Sequence, residues 1–182
     1  MSVKYKIRDQ EKLYFVSFSV INWIDVFIRN EYKNIFLDSL KFCQRNKGLE
    51  IYGWCIMTSH VHLIIGTSDK PMENILRDLK SFTSTNIKKA IELNPTESRK
   101  EWMLWMMKRA GIKNNNNNDF QFWQQNNHPI ELWDNYMMQQ KLDYIHNNPV
   151  EAGFVDAPCD YVYSSARDYS EQKGLLNIKL IT

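Results

Sequence analysis

A chain of 182 residues, 43% apolar and 13% aromatic, is the size of one domain and long enough for a sizeable core. Its formal net charge of +2 says little about partners, and no segment approaches the length of a membrane span. Cys43, Cys55 and Cys159 are odd in number and share no metal-like spacing; the first two sit in apolar contexts and read as buried thiols of a protein in the reducing cytoplasm.

In chain order, Leu13–Val20 is dense in aromatic and β-branched residues and predicts a strand. Tyr32, Ile35, Phe36, Leu40 and Phe42-Cys43 recur at helical spacing from Asn30 to Lys47, with Gly48 as the stop. Ile51–Met57 and Val61–Ile65 predict two strands of a tight hairpin. Pro71 opens a helix running to about Leu93, where Asn94-Pro95 ends it. The stretch 94–118 reads as an irregular insert, with a helical turn or two at Trp102–Met107 and a mobile Asn-rich loop at Asn114–Asn118. A strand is expected at Asp119–Gln124 and a last long helix at Glu131–Asn148, stopped by Pro149. The order β-α-β-β-α-β, then a helix, is the ferredoxin-like α+β plan: an antiparallel sheet with two helices on one face, all in a single domain, 1–182.

Two short motifs carry chemistry. His60-Val61-His62 begins the second hairpin strand, and residues two apart on a strand share a face, so two imidazoles stand side by side as a divalent metal requires. An isolated His-x-His is more often structural, but a polar pair in this apolar run needs a reason, since burying an unpaired imidazole is costly. Tyr144 and Asn148 are four apart on a helix and lie on one face. Tyr136 with Gln140 repeats that spacing and is the internal rival. His146 falls about 200° round the helix from Tyr144 and reads as structural. His128 reads as a capping or packing residue, and a zinc site from His60, His62, His128 and a cysteine has no spacing to support it.

Between Arg77 and Lys113 nine basic residues stand against four acidic ones. Arg77, Lys80, Lys88 and Lys89 on the second long helix are the candidates for tracking a DNA backbone, an ordinary solvated helix face being nearly as good a reading. Trp102, Trp105 and Trp123 offer rings for unpaired bases, with core packing the commoner job for each.

The strings S-H-V-H-L-I-I at 59–65, F-W-Q at 122–124, H-P-I-E-L at 128–132, L-D-Y-I-H-N-N-P-V-E-A-G at 142–153 and D-Y-V-Y-S-S-A at 160–166 resemble the single-tyrosine HUH transposases of small insertion sequences, and among them the REP-associated tyrosine transposases. The resemblance runs from about Tyr14 to Tyr169, and the Tyr-Ile-His-Asn-Asn-Pro string is its most specific part. It implies that Tyr144 is the nucleophile of a metal-dependent single-strand DNA endonuclease and strand transferase, leaving a 5′-phosphotyrosine and a free 3′-hydroxyl. It further implies His60, His62 and Asn148 as ligands of Mg2+ or Mn2+, with Asn where insertion-sequence members carry Gln. The implied partner is single-stranded or hairpin-forming repeat DNA, and both monomer and homodimer occur among such proteins. A non-catalytic nucleic-acid-binding module, and a nuclease that uses water as nucleophile, are the competing readings.

Overall fold

The computed structural model describes residues 7, 9–113, 119–125 and 129–181, so the readings of Asn114–Asn118 and His128 fall outside the described residues. Strand β1 (Leu13–Ser19) alternates: Tyr14, Val16 and Phe18 join one core while Phe15 joins another on the opposite face. Helix α1 (Asn30–Lys47) ends where expected, at Gly48, whose φ of 71° is left-handed and whose N–H returns to the Cys43 carbonyl. Strands β2 (Leu49–Ile56) and β3 (His60–Thr67) form the hairpin, closed by Met57 N–H donating to the His60 carbonyl at 2.8 Å. Helix α2 (Met72–Leu93) follows, then α3 (Lys100–Ile112), strand β4 (Ile130–Leu132) and helix α4 (Asn135–Glu151).

The sheet is antiparallel in the order β2-β3-β1-β4, the ferredoxin-like arrangement. Helices α1, α2 and α3 cover the face presented by Val16, Phe18, Val61 and Leu63. Helix α4 lies on the other face, where Leu142 and Ile145 pack with Phe15, Cys55, Met57 and Ile64. A bulge in β2 sets Gly53 beneath α4; a Cβ there would meet Leu142 Cδ1 at 2.9 Å, so glycine permits the close approach.

Four expectations are corrected. The strand expected at 119–124 reduces to a single bridge, Trp123 to Val20, and the fourth strand is Ile130–Leu132 instead. Those residues pair with Leu13–Phe15, and Tyr14 donates to Glu131 Oε2, so Glu131 is in the sheet and α4 starts later, capped by Asp134 accepting from Met137 N–H at 2.6 Å. Pro149 does not stop α4: the last turn continues through Glu151, where Pro149 forfeits one backbone donor and Gly153, φ 72°, closes the end. The turn or two expected near Trp102 is a helix of 13 residues, buried along Met103, Met107 and Gly111, which leaves Trp102 and Trp105 exposed; Trp123 is in the core.

The segment after α4 covers the free edge of β2. Tyr163 O accepts from Ile56 N–H, Ser165 Oγ from Trp54 N–H, and the Tyr161 and Tyr169 hydroxyls donate to the Ile56 and Tyr52 carbonyls. Cys43 and Cys55 are buried, as their contexts suggested, and burial pushes both thiols upward. Among the described residues, no helix is long and apolar enough to cross a membrane.

Candidate active site

His60 and His62 project from β3 toward α4, because the alternate residues Val61 and Leu63 are spent on the other core. Their ring centroids are 4.7 Å apart. The register pairs His62 with Ser17, whose hydroxyl meets Nδ1 at 2.7 Å, and Ser59 Oγ lies 3.2 Å from His60 Nδ1. With each Nδ1 so engaged, each Nε2 is the nitrogen left for another partner, and among the described residues the buried His62 Nε2 has no hydrogen-bond partner. Burial pushes the His62 ring down to about 3, helped by the His60 and Lys141 charges. The same desolvation lowers His60, partly offset by a hydrogen bond with the Asn148 side chain. Both rings are therefore neutral at physiological pH, as metal ligands must be.

Helix α4 brings Tyr144 and Asn148 over this pair. The Tyr144 ring meets His62 edge-on at 5.2 Å and Phe15 at 6.0 Å, while Phe15 stacks on His62 at 5.6 Å. Tyr144 keeps 44% of its surface exposed, so its ring is seated yet its face is open to a substrate. Tyr136, its rival, is 78% exposed near the start of α4, and among the described residues no ring contact ties it to His60 or His62. His146 points away, as expected: it is buried, its Nε2 lies 2.8 Å from Ser165 Oγ, and desolvation pushes it down to about 4.

The donors present fit a divalent ion. An orphaned buried imidazole nitrogen, a second neutral imidazole and a neighbouring amide oxygen converge, each imidazole already oriented by a serine. Among the described residues no group of three His, Cys, Asp or Glu side chains could hold a metal, so an ion here would rest on His60, His62 and Asn148.

Two neighbours escaped the sequence reading. Lys141, three residues before Tyr144, places its ammonium 5.9 Å from the Tyr144 ring centroid and 5.1 Å from that of Phe15. Trp23, just past β1, packs against His60 in a T-shaped pair with ring centroids 5.6 Å apart. Helical spacing could have found the first. For the second the only signal was Asn22, a residue tolerant of left-handed backbone.

The four basic residues of α2 are not brought to this site, since α2 packs on the opposite face of the sheet. Lys80 turns inward over the Phe18 ring and donates to the Gln124 carbonyl at 3.3 Å, and burial pushes it down to about 8. Lys88 pairs with Glu92, Arg77 with Asp78 and Asn74, and Lys89 is exposed. Arg77 and Lys80 also line a cavity of about 600 Å³ with Ser81, Ser84 and Trp123.

Residues 18–110 match the family model described as transposase IS200 like, a stretch that contains the histidine pair and stops short of α4. Curated proteins give no match. Among solved structures, a REP-associated tyrosine transposase bound to a REP hairpin is similar over 100% of this chain and 94% of that one, at 15% identity and a TM-score of 0.65. A transposase candidate from Deinococcus radiodurans is similar over 81% of this chain and 97% of its own, at 16% identity and a TM-score of 0.46. At 15% identity the first likeness establishes the fold.

Proposed function

This chain belongs to the IS200-like transposase family, and from that premise we propose that it cleaves and rejoins single-stranded DNA through a 5′-phosphotyrosine at Tyr144. The observation that carries the reading is the convergence of Tyr144 on the two neutral imidazoles, with Asn148 against His60. The fold likeness to a transposase bound to a REP hairpin supports hairpin-forming DNA as the substrate.

A divalent ion, Mg2+ or Mn2+, held by His60, His62 and Asn148 would supply Lewis-acid polarisation of the scissile phosphate. Tyr144 supplies the nucleophile: its phenolic oxygen bonds to phosphorus, its proton passes to solvent, and the departing 3′ oxygen takes up a proton. A phenol, with a pKa of about 10, is a weak nucleophile at neutral pH, so charge developing on its oxygen needs a cation nearby. Lys141 provides one. Phe15, stacked on His62 and edge-on to Tyr144, keeps bulk water from one side of the reacting groups. Attack of a 3′-hydroxyl on the phosphotyrosine reverses the bond exchange and rejoins strands without an external energy source.

The test is a hairpin oligonucleotide with unpaired flanks, incubated with Mg2+ or Mn2+ and run on a denaturing gel. Wild type and Tyr136→Phe form a covalent adduct; Tyr144→Phe forms none while still binding the DNA. An adduct that survives in Tyr144→Phe, or is lost in Tyr136→Phe, overturns the assignment. Cleavage without any adduct would instead favour water as the nucleophile.

A further inference from the structure

Trp23 is 59% exposed and has a φ of 55°, directly after Asn22 with a φ of 52°. Asparagine tolerates the left-handed region, but a bulky side chain seldom enters it, and neither residue is a glycine. The turn is nonetheless tied down. Trp23 N–H donates to Val20 O at 3.0 Å, Ile21 N–H to Phe122 O at 2.7 Å, and Val20 N–H to Ser59 O at 2.9 Å. The hairpin tip that carries His60 is thus bonded to the turn that carries Trp23, which fixes the tryptophan at the rim of the active site with its ring largely bare.

The same turn borders a cleft of about 540 Å³, in the range of ligand sites. Ile21 and Asn22 form one wall; Met106, Arg109 and Lys113 of α3 form the other. Arg109 and Lys113 are exposed, and among the described residues neither takes part in an ion pair. A largely exposed indole followed by two exposed cations, Arg109 lying over the Trp105 ring and Lys113, suits a single strand, whose bases can stack and whose phosphates follow at regular intervals. A duplex keeps its bases stacked on one another and offers that ring nothing.

We infer that this cleft is a subsite for unpaired DNA next to the scissile bond, with one base stacked on Trp23 and the adjoining phosphates held by Arg109 and Lys113. The inference rests on the DNA-cleaving reading for its substrate class, and it gives a function to α3, which packs against the turn at Ile21–Trp23.

The test measures affinity in EDTA, where no cleavage occurs, for oligothymidylate and for an abasic strand of equal length. Stacking on an aromatic ring is worth about 5- to 150-fold per base. Trp23→Ala should weaken oligothymidylate binding by a factor in that range and leave the abasic strand unchanged, and Trp23→Phe should restore most of the loss. Arg109→Ala with Lys113→Ala should weaken both strands alike and flatten the log–log salt dependence by up to about 1.4. An oligothymidylate preference that survives Trp23→Ala, an equal loss on both strands in that variant, or an unchanged salt slope in the double variant overturns the subsite. Absence of a Tyr144 adduct overturns the chemistry instead and leaves these binding ratios untouched.

Discussion

His62 is only 5% exposed, and its hydrogen bond to Ser17 leaves one buried nitrogen without a partner among the described residues. Such an atom is tolerated when a ligand meets it. His60→Ala and His62→Ala are therefore each expected to abolish adduct formation and weaken Mn2+ binding measured by calorimetry, with circular dichroism unchanged; a variant that keeps its manganese affinity would remove that histidine from the ligand set. Lys80 offers a separate check. Its folded pKa of about 8 lies below the ordinary lysine value of 10.5, so the charged form costs stability below pH 8, and stability is regained as pH rises from about 8 toward 10.5. Lys80→Met should stabilise the protein by about 1–2 kcal/mol at pH 7, allowing for the lost bond to Gln124 O, and the gain should fade in alkaline buffer. A pH-independent difference in melting would contradict this account of the lysine. The histidine pair was legible because the two-residue period of a strand fixes which side chains share a face. Trp23 was not, because Asn22 marks at most one left-handed residue and nothing marks a second at Trp23.

At the scale of elements, the site depends on how α4 is seated. Ser165 Oγ accepts from Trp54 N–H and lies within hydrogen-bonding distance of His146 Nε2 and Trp54 O, so one buried hydroxyl joins α4, β2 and the C-terminal segment. Ser165→Ala should cost about 1–3 kcal/mol by leaving those groups unpaired, and lower the adduct yield more than a remote substitution of equal destabilisation. Parity between the two, read by urea titration alongside the gel, would mean that α4 holds its place without the serine. Gly111 plays a comparable part on the other face: a Cβ there would come within 2.5 Å of Phe120 Cα, a backbone atom. Gly111→Ala is expected to destabilise by about 1–3 kcal/mol, as overpacking does. Helices α1 and α2 were readable from periodicity and their stops, because packing and propensity agree there. The start of α4 was not, since pairing of Ile130–Leu132 with β1 outweighs the helical pattern of Glu131 onward. Tertiary pairing also explains why the aromatic run at 119–124 makes only one bridge.

For the whole molecule, the two faces of the sheet divide the labour: aliphatic and aromatic packing with three helices on one, the histidines facing Tyr144 of α4 on the other. The basic residues of α2 and the cluster of His60, His62 and Tyr144 are thus separated by the sheet itself, an arrangement that composition alone conceals. Replacing Arg77 and Lys89, the exposed cations of α2, should change the salt dependence of single-strand binding less than replacing Arg109 and Lys113; the reverse order would put the strand on α2.

Helix α4 lies over its own β3, pinned through Leu142 against Gly53 and through His146 to Ser165, and the chain that follows it closes the β2 edge. Tyr144 and the two imidazoles therefore belong to one polypeptide, and no exchange of α4 is needed to bring them together. Catalysis should be a property of the solitary molecule: specific activity should hold on dilution, and a mixture of Tyr144→Phe with His60→Ala should stay inactive, because neither can lend the other its intact half. Recovered activity in the mixture would show that the helix trades places between subunits. If instead the mixture stays inactive, a transposition event that needs two cleavages draws on two self-sufficient molecules meeting on the DNA, with the spacing of the hairpins, rather than a protein interface, setting how they cooperate.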